Sequence, residues 1–225
     1  LESGLLPRKS DDLTEILKGL GATPTASLSD ALDRMGKPGF MSHELRPIIP
    51  GVKIVGPAIT VKHKKATKTT QFSLVLELID RAKPGDVVVV SGDLDLRDVG
   101  LYGGLMATAS KAKGLAGCVL DGGVRDVREL REMGFQAFSR SVVPTTSLGR
   151  TDIEAVNVPI VCGGVTVNPG DIIVGDDDGI VVIPRAVAKE ALERATAFDE
   201  VERKESEDLR KGASIVETIR KYARV

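Results

Sequence analysis

The densest chemistry in the chain is the run Asp121-Gly122-Gly123-Val124-Arg125-Asp126, which follows the apolar stretch Gly117–Leu120. In open α/β sheets ligands bind off the carboxyl ends of strands, so side chains at this place are candidates for a site. Arg125 offers a planar fork of donors suited to a carboxylate or an enolate oxygen. Asp126 offers oxygen to a hard cation such as Mg²⁺, which takes few protein ligands and keeps several waters. Each residue also has a plain structural reading. Asp126 precedes Val127, with Glu129 three residues on, which is the spacing of a helix N-cap. Arg125 could serve a structural ion pair. A capping Asp can still present its outer oxygen, so both readings stay open.

A second candidate lies upstream at Tyr102-Gly103-Gly104-Leu105-Met106, where glycines lead directly into a helical pattern. Backbone N–H groups at a helix start are free and the dipole favours negative charge, so a small carboxylate or phosphate could sit there. The two glycines remove side chains that would block the approach. The plain alternative is an ordinary loop-to-helix turn.

Other chemistries lack support. Cys118 and Cys162 are 44 positions apart, and His43 and His63 are 20 apart, matching no zinc pattern. No G-x-S-x-G elbow and no glycine-rich nucleotide motif occurs, although Ser91-Gly92-Asp93 follows a valine run. Lys62-His63-Lys64-Lys65, with Lys68 nearby, reads as a solvated strand end, with anion attraction as the sharper option. Asp176-Asp177-Asp178-Gly179 reads as a polar hairpin turn before a cation site.

Composition narrows the class. The chain has 225 residues, 42% hydrophobic, with 31 basic and 32 acidic groups and a net charge of −1. That balance argues against a nucleic-acid binder or a polybasic membrane anchor. Two cysteines inside apolar runs exclude a disulfide framework and favour a reducing, cytoplasmic setting. No stretch approaches the roughly 20 apolar residues of a membrane span. Leu1-Glu2-Ser3 begins no basic-then-apolar leader, so no signal peptide is expected.

The elements that must position these residues follow from pattern. Asp11 or Asp12 would cap a first helix that stops at Gly21, and Ser27 would precede a second that closes at Gly36. Val52–Val61, interrupted by Gly56-Pro57, reads as a bent or edge strand. Helices at 70–82, 104–113 and 127–133 alternate with strands at 87–90 and 117–120, the rhythm of a βαβ core with parallel pairing. Residues 159–184 are rich in β-branched residues and glycine, and a charged helical tail follows Pro184.

These residues carry a likeness. Gly103 to Ala109, Gly117 to Asp126, Ser29-Asp30-Ala31-Leu32, Gly56 to Val61 and Gly163 to Asp171 resemble the 4-hydroxy-4-methyl-2-oxoglutarate aldolase and ribonuclease-activity-regulator (RraA-like) superfamily. The likeness runs from about Thr25 to Pro184. It implies an α/β fold, a swivelling β/β/α domain with N-terminal helices and a C-terminal helical tail. On this view residues 1–225 form a single domain, with its core at about 25–184 and its tail at about 185–225. It implies a class II pyruvate aldolase and oxaloacetate decarboxylase using Mg²⁺ or Mn²⁺, assembled as a homotrimer or homohexamer. By position, Gly103, Gly104, Leu105 and Met106 would bind the substrate carboxylate through backbone amides. Arg125 would contact the substrate's oxygens as the catalytic residue, and Asp126 would hold the metal. Partners would then be a small 2-oxo acid, with neither nucleic acid nor membrane. The resemblance also implies that acids supporting the site can come from a neighbouring subunit, and Glu200, Glu202 and Glu205 are candidates. The other branch of the superfamily implies a protein that regulates a ribonuclease by contact. Two stretches depart from the family pattern: Gly104 stands where many members have Glu, and residues 66–71 replace an Asp-Asn pair.

Overall fold

A computed structural model describes residues 10–66 and 73–222. The chain opens with helices α1 (Ser10–Ala22) and α2 (Thr25–Arg34). Their apolar stripes, Leu20, Leu28, Ala31 and Leu32, are fully buried, as helical spacing demands of a helix resting on a sheet. Both starts differ from the capping expectation. Asp11 and Asp12 already stand inside α1, and their side chains lie outside the described residues. Ser27 lies inside α2, and its hydroxyl bonds Asp199 instead. The start of α2 is held by Asp176, which accepts from the Thr25 N–H at 2.9 Å and its hydroxyl at 2.5 Å.

A Pro/Gly connector leads through β1 (Arg46–Pro47) to β2 (Ile54–Lys65). Then come α3 (Ser73–Arg81), β3 (Val87–Gly92), β4 (Gly100–Tyr102), α4 (Gly104–Ala112), β5 (Gly117–Val124), α5 (Val127–Met133) and β6 (Ala137–Val142). The expected start of α3 at Thr70 lies outside the described residues. Strands β7 (Thr151–Val156), β8 (Ile160–Cys162), β9 (Val165–Val167), β10 (Ile172–Asp176) and β11 (Gly179–Ile183) follow. A 3₁₀ turn leads into the long α6 (Ala188–Arg210) and then α7 (Ile215–Tyr222).

One sheet runs in the order β1-β6-β5-β3-β2-β10-β11, with β4 beside β5 and β7 beside β2. The pairs β2/β3, β3/β5, β4/β5 and β5/β6 are parallel, and the rest are antiparallel. This is the βαβ core that the sequence rhythm predicts. The valines of β3 explain its central place. Val88 and Val90 face α3, α4 and α5, whereas Val87 and Val89 face the β8–β9 ribbon. A strand buried on both faces reads as a continuous apolar run. Ribbon, sheet and helices thus form β/β/α layers, and α1, α2 and α6 cover β10 and β11. Cys118 and Cys162 are fully buried free thiols, and burial raises the pKa of both. Residues Asp177 and Asp178 form the tight turn between β10 and β11, as expected. Among the described residues no helix is long and apolar enough to cross a membrane.

The expectation of an edge strand fails for β2, which sits between β3 and β10. Its glycine and proline have a different cause. Ala58 donates to Asp171 O and accepts from Gly170, so the Pro57 nitrogen faces the other side, just before the β3 ladder begins at Ala58↔Val87. The missing donor is therefore harmless there. At Gly56 a Cβ would lie 1.8 Å from the carbonyl oxygen of Gly85, so only glycine admits the turn that feeds β3.

In the basic segment at the end of β2, Lys62 and His63 have structural partners, and Lys68 lies outside the described residues. Lys62 pairs with Asp93 at 2.8 Å and Glu154 at 3.2 Å. His63 is buried with Nδ1 2.9 Å from the Thr151 hydroxyl, and burial lowers its pKa to about 4 despite the nearby Asp152.

Two outcomes are expected. Gly56→Ala should destabilise the protein by about 3 kcal/mol, read as a lower urea midpoint, because backbone must move to admit the methyl group. His63 stays neutral when folded, so between pH 6.5 and 4 the unfolded chain alone gains its proton. Stability from this group is full above about pH 6.5 and is lost as pH falls to about 4, by about 3 kcal/mol. Urea midpoints against pH check this, since His63→Gln should lack that part of the acid slope.

Candidate active site

Beyond Val124 the chain stays beside β4, because the Arg125 N–H donates to the Tyr102 carbonyl at 3.0 Å. Asp126 then turns left-handed, with φ 54° and ψ 34°. A non-glycine residue in that region costs about 1–2 kcal/mol, with Asp and Asn the best tolerated. The turn overturns the capping expectation. Asp126 makes no side-chain bond to its own helix α5. Its Oδ2 instead accepts from the Gly104 N–H at 2.9 Å, capping the start of α4. That places a carboxylate at the positive end of a helix dipole.

Two other expectations change. The strand expected to end at Leu120 continues to Val124, with an irregular register between Leu120 and Gly123. Asp121 therefore lies within the sheet, accepting from the Gly163 N–H at 2.8 Å and pairing with Arg140, which also reaches Glu44. This network belongs to the ribbon side, apart from Arg125 and Asp126.

The ion pair expected of Arg125 is with Asp126 itself, Nε to Oδ2 at 3.4 Å. The two side chains are 41% and 37% exposed, so a ligand can reach both. Gly103 makes this approach possible, since a Cβ there would stand 2.6 Å from Asp126 Oδ2 and 2.8 Å from Arg125 Nε. A Cβ on Gly104 would lie 2.0 Å from Glu129 Oε2. The carboxylate of Glu129 thus fills the space that a side chain at position 104 would take. Sequence reading treated Glu129 only as a capping partner. The available signal was the Asp126-x-x-Glu129 spacing, which keeps both carboxylates at the start of α5.

Of the four positions expected to present amides, Gly104 gives its N–H to Asp126. Leu105 and Met106 carry the next two donors of the first turn, beyond the reach of any intrahelical carbonyl. The Leu105 side chain is 90% exposed and Met106 is half-buried. Gly103, Leu105, Met106 and Arg125 line a cleft of about 430 Å³ between α3, α4 and residues 146–148. The loop wall at Thr146–Leu148 was not legible in the sequence. Below the cleft Tyr102 is buried, its hydroxyl 2.5 Å from Ser110 Oγ and its ring stacked on Phe135.

The donor set suits a hard cation. Asp126 Oδ1 has no hydrogen bond among the described residues, and a Cβ on Gly104 would lie 2.0 Å from Glu129 Oε2 and 3.6 Å from Asp126 Oδ2, so both carboxylates border the same spot. Among those residues no group of three or more His, Cys, Asp or Glu is placed to hold a metal ion. One or two carboxylates plus waters is the usual set for Mg²⁺ and not for a structural zinc. The tail glutamates Glu200, Glu202 and Glu205 lie elsewhere, on α6, which packs on α1 and α2. The family's Asp-Asn position, 66–71 here, lies almost wholly outside the described residues.

Comparison with known proteins places the chain in a family. The RraA-like profile, described as aldolase/RraA, matches residues 25–182. The chain belongs to the aldolase/RraA family. A Halalkalibacterium halodurans protein named "Putative 4-hydroxy-4-methyl-2-oxoglutarate aldolase" is 36% identical over 76% of this chain and 78% of its own. A solved structure of an uncharacterised protein from Pseudomonas syringae pv. tomato superposes with a TM-score of 0.87, at 31% identity and 99% coverage of both chains. Streptomyces coelicolor RraAS2, described as an unusual member of the RNase ES inhibitor RraA family, gives a TM-score of 0.77 at 28% identity, over 91% and 98% of the chains. The RraA-like family thus includes proteins named as aldolases and proteins named as ribonuclease inhibitors.

The cap can be tested by stability alone. Asp126→Ala should cost about 2 kcal/mol in a urea titration, from the lost cap and the poorer fit of alanine to a left-handed turn. Asp126→Asn keeps an oxygen acceptor and should stay within about 0.5 kcal/mol of the parent.

Proposed function

We propose that this protein is a divalent-cation-dependent lyase that releases pyruvate from 4-hydroxy-2-oxo acids, a class II aldolase of the 4-hydroxy-4-methyl-2-oxoglutarate type that also decarboxylates oxaloacetate. The observation that supports this most is the Arg125–Asp126 pair, 3.4 Å apart beside the start of α4, with both side chains part-exposed and Arg125 on the wall of the cleft. The substrate carboxylate would rest on the first-turn amides of Leu105 and Met106, where the dipole favours an anion. The Arg125 fork would meet the 2-keto oxygen. When the C3–C4 bond breaks, its electron pair passes into an enolate, and the charge grows on an oxygen already facing the guanidinium. The proton of the C4 hydroxyl leaves as C4 becomes a carbonyl, and C3 takes up a proton to give pyruvate. Decarboxylation of oxaloacetate reaches the same enolate with CO₂ as the departing group.

A bound Mg²⁺ or Mn²⁺ would supply Lewis acidity to the substrate oxygens. Asp126 would hold it, Glu129 would add a second carboxylate through water, and no lysine Schiff base is required. The same reading carries a cytoplasmic enzyme built as a closed ring of three or six copies.

Pyruvate release from oxaloacetate and 4-hydroxy-4-methyl-2-oxoglutarate should require Mg²⁺ or Mn²⁺ and stop with EDTA. Asp126→Ala should abolish that turnover. Arg125→Lys should lower kcat/KM about 100-fold, because a point charge does not replace a planar fork. Glu129→Gln should weaken Mn²⁺ binding about 10-fold by calorimetry. If no pyruvate forms with any cation, two options stand, a different oxo acid or a protein partner such as a ribonuclease, and a pull-down tests the second.

A further inference from the structure

We infer that Asp121 and Arg140 are the positioning pair of the site, fixing the register of β5 on β6 so that Arg125 and neither sequence neighbour takes its place; this deepens the lyase reading above and rests on it. The pair stands where the parallel β5/β6 ladder changes register. Leu120 lies opposite Ser139 and Gly123 opposite Ser141, so Asp121 and Gly122 together face the single residue Arg140. That is a two-against-one bulge, rare between parallel strands, and bulges beside active sites re-aim side chains. Across it, Asp121 Oδ1 accepts from Arg140 Nε. The two side chains are only 16% and 17% exposed. A salt bridge so far out of water gives up hydration that its attraction barely returns, and its best-attested use is to specify register.

The bulge is held from both sides of the sheet. Toward the ribbon, Asp121 Oδ2 accepts from the Gly163 N–H at 2.8 Å, and Arg140 Nη1 reaches Glu44. Toward the helices, a Cβ on Gly122 would stand 2.6 Å from the Leu96 carbonyl oxygen. The Gly123 N–H is shared between the carbonyls of Leu96 and Val99, at 3.1 and 3.0 Å. The strand then brings Val124 opposite Val142, and the Arg125 N–H to the Tyr102 carbonyl at 3.0 Å. Regular pairing from Leu120 onward would set Gly123 opposite Val142. Val124 would then meet the Tyr102 carbonyl, and Arg125 would fall at the left-handed turn where Asp126 now caps α4. A slip of one residue also turns each side chain to the opposite face of a sheet. Both site residues thus depend on the extra residue that the ion pair spans.

Two variants test the pair. Asp121→Asn keeps an acceptor for Gly163 and loses the charge that holds Arg140, whereas Arg140→Lys keeps a cation at the bulge and loses the Nε–H. The lysine variant is the milder change and carries the test if Asp121→Asn does not fold. With 4-hydroxy-4-methyl-2-oxoglutarate and Mg²⁺, each should lower kcat/KM for pyruvate release about 10-fold, the scale of a misplaced reacting group. In an Arg125→Lys background the same changes should add less than about twofold, because a positioning residue acts only through the group it positions. Hydrogen exchange over residues 121–127, read by mass spectrometry, reports the same placement without turnover. The Arg125 N–H should exchange about 10-fold faster in both variants, while the strand Val87–Val90 exchanges as in the parent. An equal fall of kcat/KM in both backgrounds overturns the inference and leaves the lyase standing. Unchanged exchange at Arg125 overturns it whatever the turnover. No pyruvate from the parent with any cation, together with faster exchange at Arg125 in the variants, sinks the lyase and upholds the pair.

Discussion

The hydrogen bond from the Gly104 N–H to Asp126 Oδ2 joins the two halves of the site. It ties the start of α4 to the crossing from β5 into α5, two places 22 residues apart in sequence. For this bond to form, Asp126 must turn left-handed, Gly103 must lack a side chain, and β4 must lie against β5. Once it forms, Arg125 is held beside a carboxylate and the first turn of α4 faces the cleft. The arrangement accepts a local conformational cost at Asp126, which the surrounding sheet compels, and sites of that kind are where backbone strain collects.

Glycine does a second job along the same sheet. Gly56 admits the turn before β3, Gly100 approaches the Thr145 carbonyl, and Gly123 approaches that of Val99. Each lets backbone meet backbone where a methyl group would hold the elements apart. The parallel core and the site above it are therefore drawn together by the same means, and the loop from 143 to 150 can form a wall of the cleft.

Much of this was legible in the sequence, and the limits have physical causes. The valine run of β3, the start of α4 at Gly104 and the span of α5 follow from local pattern, because burial and glycine placement are local signals. The edge reading of β2 fails because a proline also fits an inner strand where its nitrogen points past the end of the neighbouring ladder, and that place is set by register. β6 was missed because Arg140 and two serines interrupt its apolar character, and Arg140 is there to meet Asp121 from another strand. The candidate site residues were found by type and spacing. Their partners were not, since Asp126 caps a helix other than its own and Glu129 answers a gap left by Gly104. Both facts depend on contacts between distant segments.

The two cysteines have a use that follows from their placement. Cys118 belongs to the core between sheet and helices, and Cys162 to the core between sheet and ribbon. Each is sealed from solvent, and burial keeps each protonated and unreactive. A thiol reagent can therefore modify one only when its own layer opens. The native chain thus carries two clocks, one on each side of the sheet, and their separate labelling rates report which layer loosens first.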